Sequence, residues 1–393
     1  MKKRVILVTG YAATYPLGGV AWDYLQYVIG LSRLGHEVYY LEDTGGWMFD
    51  PNRLTFTDDV TANADYIRDF FMKVAPSLKN NFCVIGPTGD CHGLTFKQLQ
   101  RLCSRADVFI NISASSMLRE EYLRIPVKIL IDSDPLYTQA DVPDYVSGQV
   151  NDVGRDNIDR LLLHDVFFSF GENIGNPDCL VPTDLFNWLP TRQPMVLDLW
   201  KTQRQPSRSI FTTVLSWKPK EKGPVVNGTA YEGKNVEFLR FLDLPSRTKQ
   251  PLELALGGGE PPKDLLADNG WRLVDAFALS RTPFLYRDYI QSSMAELSMA
   301  KNAYVASRSG WFSCRSSCYL AAGRPVVVQD TGFGCCIETG KGILPFSTPE
   351  EAVACVEEIT RDFETHSRAA VRIAEEYFRA EDVLTRLLNE ALS

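Results

Sequence analysis

Short apolar runs alternate along this chain with segments whose apolar positions recur at helical spacing, and glycine- or proline-bearing turns separate them. The run at residues 4–8 predicts a first strand. A loop over 9–19 follows and ends in Pro16-Leu17-Gly18-Gly19. Val20, Tyr24, Leu25, Val28 and Leu31 then form a helical stripe within 20–34, Gly35 stops the helix, and 37–41 predicts the next strand, closing on Glu42-Asp43. Strand, helix and strand in so short a span imply a parallel pair, because the crossover must return the chain to the same edge. Further strands are predicted at 81–85, 108–112, 127–131 and 164–169, with a helix at 96–104. Polar residues gather where these strands end: Ser113 to Ser116, Asp132-Ser133-Asp134, and Gly171-Glu172-Asn173. Open α/β sheets bind ligands at those carboxyl ends.

Residues 175–206 are rich in proline and polar residues and lack helical spacing, so they read as the crossing between domains, with a hinge at 203–208. A second series of elements begins at 209–215, a strand ending in Ser216-Trp217-Lys218. Strands are predicted at 252–256, 271–275, 282–285, 303–306, 326–329 and 342–346. Helices are predicted at 292–300, from the turn at 307–310 to about 322, and at 352–360, 367–378 and 382–392, with Pro349 in the first turn of the first of these last three. The expected architecture is α/β: two Rossmann-like domains, 1–205 and 206–375, whose parallel sheets face a central cleft, followed by a C-terminal helix in 376–393.

Composition narrows the function classes. A chain of 393 residues exceeds one usual core, and 45% apolar with 23% charged residues is ordinary for a water-facing globular protein. A net charge of −8 without a basic run argues against a nucleic-acid partner. The apolar run after Met1-Lys2-Lys3-Arg4 is too short for a signal peptide, and no stretch approaches the ~20 apolar residues of a membrane span. The nine cysteines follow no zinc spacing and several sit in apolar elements, which suits free thiols in a reducing, cytoplasmic compartment.

The densest chemistry lies in Arg308-Ser309-Gly310-Trp311-Phe312-Ser313, between a predicted strand and a predicted helix. Free backbone N–H groups and the positive dipole end at a helix start favour an anion, and Arg308, Ser309 and Ser313 add donors, with Gly310 read as allowing close approach; Arg315 either points at the same anion or is a surface arginine. A diphosphate held without a Walker lysine is the expected ligand. Gly18-Gly19 opens the first helix of the other domain and is expected to face the same ligand; Trp217-Lys218 is a third approach, with Lys218 neutralising the diphosphate. For a general base the candidates are Asp23, Asp132, Asp134, Glu172, His92 and His164, since deprotonating a hydroxyl needs a carboxylate or imidazole within hydrogen-bond reach. Asp23 lies one turn into the first helix, beside the Gly-Gly loop. Asp132-Ser133-Asp134 also has the spacing of a metal-holding carboxylate pair, but acceptor binding or base work suits it better, and no metal is expected. Glycine runs at 86–89 and 257–259 lack Gly-Lys-Ser/Thr, and no GxGxxG follows the first strand, which argues against a P-loop and a dinucleotide-dependent dehydrogenase.

Tyr289-Ile290-Gln291, Arg308 to Ser313 and Ala321-Ala322-Gly323-Arg324-Pro325 resemble the donor domain of GT-B glycosyltransferases. The likeness is to two branches: the bacterial cell-wall N-acetylglucosaminyltransferase, with its Arg-Ser-Gly turn, and the plant small-molecule glucosyltransferases, with a Gly-Trp-Asn-Ser turn. Gly18-Gly19 and Gly35-His36-Glu37-Val38 are similar to the usual first βαβ unit. The resemblance implies a metal-independent transferase that moves a sugar from a nucleoside-diphosphate sugar to a small-molecule or other acceptor, with no further cofactor. It implies Arg308 to Ser313 at the diphosphate, Tyr289 and Ile290 at the base, and Asp330-Thr331-Gly332-Phe333 at the sugar. The chain departs from the pattern at Ser316, where these families place a ribose-holding glutamate, and at Phe312, in the place of the asparagine. A nucleotide-sugar epimerase on the same fold and a non-catalytic nucleotide-binding protein are the alternative readings.

Overall fold

The structure, a computed structural model, describes residues 2–202, 205–217 and 222–393. Eight strands form the first sheet: β1 (Val5–Thr9), β2 (Glu37–Glu42), β3 (Phe82–Ile85), β4 (Cys91–Gly93), β5 (Val108–Ile112), β6 (Val127–Asp132), β7 (Val166–Ser169) and β8 (Trp188–Pro190). Their spatial order is β8-β7-β6-β5-β1-β2-β3-β4; β4 runs antiparallel to β3 and every other pairing is parallel. The apolar runs are buried on both faces, as a parallel sheet covered by helices requires. The edge strand β8 lies inside the stretch read as an irregular crossing; its three residues are too few to produce a period.

The second sheet holds β9 (Phe211–Ser216), β10 (Leu252–Gly257), β11 (Arg272–Asp275), β12 (Ala295–Ser298), β13 (Val326–Gln329) and β14 (Ile343–Phe346), in the order β11-β10-β9-β12-β13-β14, all parallel. In each sheet the order reverses beside one strand, between β1 and β5 in the first and between β9 and β12 in the second. Crevices at such reversals are where open parallel sheets take ligands, because adjacent loops leave in opposite directions. The two crevices face each other.

Three sequence expectations change in the second half. Residues 282–285 begin a helix, Pro283–Ser292, capped by the Thr282 hydroxyl at Leu285 N. The predicted helix at 292–300 is instead β12, and the predicted strand at 303–306 is the helix Asn302–Ser307. Alanine, glutamate, leucine and methionine favour helix locally, yet β12 is buried along its whole length between β9 and β13, and pairing within the sheet overrides propensity.

Four helices position the cleft: α1 (Gly18–Arg33), α2 (Pro283–Ser292), α3 (Cys314–Ala321) and α4 (Ala380–Ala391). Although α4 closes the chain, it packs back on α1 of the first domain. Helix α2 crosses to α1 as well, where Trp22 Nε1 donates to Pro283 O at 2.8 Å. Gln26 fastens the crossing chain by accepting from Val196 N (2.9 Å) and Trp200 Nε1 (3.1 Å). On the opposite side of the cleft, Leu180 N donates to Ser307 O (2.8 Å) and Asn173 N to Ser309 O (3.2 Å).

Candidate functional site

The cleft between the facing crevices encloses about 460 Å³. Helix α1 contributes Gly19, Asp23 and Tyr24, and the turn after β6 contributes Ser133 and Asp134. The second domain supplies Ser216, Lys234, Tyr286, Lys301, Tyr304, Trp311, Ser313 and Arg315.

Arg315 stands one residue inside α3, whose N-cap hydroxyl, Ser313 Oγ, accepts from Arg315 N at 3.3 Å. Its guanidinium is held from below: Nε donates to Glu296 Oε1 at 2.6 Å, Nη1 to Val214 O at 2.7 Å, and Nη2 to Ser298 Oγ. Glu296 is fully buried in β12 and only 14% of the arginine side chain is exposed. Burial opposes the arginine charge, but Glu296 outweighs it and holds the group protonated. A guanidinium has five N–H donors, so this one keeps donors for the cleft after its protein bonds are made. Lys301, placed three residues past the end of β12, adds a second cation: its Nζ is 2.8 Å from Asp134 Oδ1 and lies over the Tyr137 ring at 4.3 Å.

Asp23 faces this cationic side. Its carboxylate accepts no hydrogen bond from the described residues, and burial pushes its pKa up to about 7, the Arg315 charge acting in the opposite direction. A carboxyl poised there takes or gives a proton near neutral pH. Tyr24 OH beside it continues to Ser113 Oγ (3.2 Å), which meets Ser133 Oγ (2.6 Å).

Of the sequence candidates, the structure brings Gly19, Asp23, Asp134, Trp311 and Ser313 into this cleft. The others serve packing or face elsewhere. Arg308 is the left-handed end of the helix Asn302–Ser307, and its side chain pairs with Asp178 (2.8 Å) and Asp330 (3.4 Å) in a separate hollow. Gly310, at φ +80°, approaches protein: a Cβ there would lie 2.3 Å from Asn173 N. Gly18 likewise meets the other domain, since a Cβ would lie 2.5 Å from Tyr286 Cβ and 2.7 Å from Thr282 O. Ser309 is fully buried, and Phe312 packs on Phe333 and Phe378. Thr331 Oγ1 donates to Trp311 O at 2.6 Å, while Asp330 and Gly332 line the hollow beside Arg308. Trp217 is core, against Phe238. Tyr289 and Ile290 are buried on α2, the tyrosine hydroxyl donating to Glu253 at 3.0 Å. Lys218 lies outside the described residues.

The base candidates sort in the same way. Asp132 is buried, and both carboxylate oxygens are taken: Oδ1 by Asp134 N (2.9 Å) and Thr138 (2.6 Å), Oδ2 by Gln139 (2.9 Å) and Ser169 (2.7 Å). That knot shapes the turn after β6. With Asp134 paired to Lys301, the two carboxylates do not open onto a common point. Glu172 is buried against Arg192, His92 pairs with Asp90 on the surface, and His164 is fixed between Leu161 O and Asn111 Nδ2.

Sequence reasoning missed Lys301, Tyr286 and the Glu296 support. For Lys301 and Glu296 the signal was a strand: one glutamate inside the apolar run Met294 to Ala300 marks a buried charge, and Lys301 marks that strand's carboxyl-end loop.

No family model matches the chain, and no curated protein matches its sequence. Solved structures do. HepE of Anabaena, in complex with UDP and glucose, matches over 98% of this chain and 99% of its own, with a TM-score of 0.55 at 10% identity. Sucrose-phosphate synthase of Thermosynechococcus elongatus matches over 100% and 99%, with a TM-score of 0.54 at 11% identity. The paired parallel sheets with their facing crevices and returning C-terminal helix are the GT-B glycosyltransferase fold, and the likeness runs the length of the chain.

Proposed function

We propose that this protein is a glycosyltransferase that takes a sugar from a nucleoside-diphosphate donor without a metal ion. The observation that carries the reading is the disposition of charge in the cleft: Asp23, whose carboxylate accepts no hydrogen bond from the described residues, lines the same cleft as Arg315, Lys301 and the start of α3. In this reading Arg315 and the start of α3 hold the diphosphate, and Lys301, paired until then with Asp134, adds positive charge beside it as it departs. The acceptor hydroxyl oxygen forms its bond to the anomeric carbon. The bond from that carbon to the diphosphate oxygen breaks, the diphosphate keeps the electron pair, and the hydroxyl proton passes to Asp23. The diphosphate-binding role assigned to Arg308 from sequence passes in this reading to Arg315, which lies in the cleft where Arg308 does not.

UDP-glucose is the first donor to try, since HepE has also been solved with it. Incubation of the protein with UDP-glucose in EDTA, followed by mass spectrometry, tests the reading. Slow release of UDP that Asp23→Asn abolishes supports it. An epimerised sugar nucleotide without UDP release would put an epimerase in its place, and failure of any nucleotide sugar to bind would remove it.

A further inference from the structure

Four rings lead outward from the cleft in one ladder. Tyr24, beside Asp23, meets Tyr11 at 6.0 Å between centroids; Tyr11 meets Tyr15 at 6.3 Å; Tyr15 meets Phe56 at 6.1 Å, tilted or edge-on at each step. The outer members are open to solvent, Tyr15 at 40% and Phe56 at 49%, with Trp47 at 59% and Leu54 at 63% in the same hairpin segment. Scattered exposed apolar residues are ordinary; a contiguous set continuous with a polar cleft marks a binding surface.

The wall is rigid. Loop 11–15 is gripped from below by the buried Glu42 carboxylate, which takes Ala13 N (2.8 Å), Thr14 N and Tyr40 OH. The antiparallel pair Met48–Asp50 and Thr55–Thr57 is tied to that loop by Phe49 N to Thr14 O (2.9 Å). Asn63 Nδ2 bridges the two by donating to Ala13 O (2.6 Å) and Phe49 O (2.9 Å). Such fixed geometry lowers the ordering cost of binding.

We propose that this ring wall is the acceptor subsite, and that the acceptor is an apolar, ring-bearing alcohol or phenol. The inference rests on the transferase reading above. The inner end of the wall is polar, with Asp23 and the Tyr24–Ser113–Ser133 hydroxyl chain; it receives the hydroxyl to be glycosylated. Outward, Phe56 and Leu54 offer ring and aliphatic surface with no hydrogen-bonding group, which suits an apolar body and leaves the hydroxyl rim of a sugar unpaired.

Two probes and one double variant test it. Calorimetric titration uses 2-naphthol, methyl β-glucopyranoside and, separately, UDP, against the full chain and against Tyr15→Ala/Phe56→Ala. The expected result is saturable 2-naphthol binding and none of the glucoside. The double variant weakens naphthol about tenfold or more, with UDP affinity and unfolding temperature unchanged. Binding of the glucoside in preference to naphthol, naphthol binding untouched by the double variant, or no binding of either probe overturns the proposal. Naphthol binding that depends on Tyr15 and Phe56 but is accompanied by no UDP binding sinks the donor reading and upholds the wall as an apolar-ligand site.

Discussion

Arg315 and Glu296 form an ion pair at 2.6 Å beneath the cleft floor, with the glutamate fully out of solvent. The bonds to Glu296, Val214 O and Ser298 Oγ fix the guanidinium and take one N–H on each of its nitrogens, leaving one N–H on each terminal nitrogen for an anion. A buried pair of this kind is weak evidence for stability, because desolvating both charges offsets their attraction. Breaking it from one side is costly. Arg315→Ala is expected to destabilise the protein by ~3 kcal/mol or more, by stranding Glu296. Chemical denaturation checks this, and a loss below about 1 kcal/mol would show that the glutamate is easily neutralised.

Asp23 is expected to set the pH dependence. Its carboxyl, raised to about 7 from an ordinary 3.8, binds its proton more tightly in the folded protein than in the unfolded chain. The stability it contributes is therefore complete below the unfolded value and is lost as pH rises through about 7. Asp23→Asn should leave stability nearly unchanged in acid and raise it at pH 8 relative to the parent, readable in paired denaturation curves. Activity should run the other way: as a base Asp23 must be ionised, so turnover falls below about 7, and the asparagine variant loses ~10²–10⁴-fold.

Asp132 is expected to matter for folding of the turn after β6. Asp132→Ala leaves Thr138, Gln139, Ser169 and Asp134 N without their acceptor. A loss of ~3 kcal/mol or more follows from several buried donors left unpaired. An unchanged melting temperature would contradict the assignment.

Gly18→Ala is expected to disturb the contact between the domains. The added methyl meets Tyr286 Cβ and the Thr282 carbonyl, which is backbone and cannot swing aside. Overpacking of this kind costs about 1–3 kcal/mol, and thermal unfolding of the variant measures it.

Much of the fold was legible in the sequence because buried parallel strands leave uninterrupted apolar runs, as Val5 to Val8, Val108 to Ile112 and Val326 to Val328 do. The architecture followed from their alternation with helical stripes. The candidate site was legible only in part. Asp23 and Ser313 were legible as cleft-lining positions because a helix start after a glycine or serine turn is a local pattern. Arg308 and Gly310 looked like anion-site residues for the same local reason, yet both answer to the 171–180 segment, a contact far removed in sequence. Reading 292–300 as helix and 303–306 as strand displaced the crevice, so Lys301 went unnoticed and Glu296 was never seen as the support of Arg315.

The central claim is that a nucleoside diphosphate binds at Arg315 in the cleft. It is tested most directly by calorimetric titration of UDP, in EDTA, into the parent protein, Arg315→Lys and Arg308→Ala. Saturable binding is predicted for the parent. Arg315→Lys, which keeps the charge but loses the planar fork, should weaken it about tenfold or more, and Arg308→Ala should leave it within about twofold. Binding abolished by Arg308→Ala and untouched by Arg315→Lys would contradict the account.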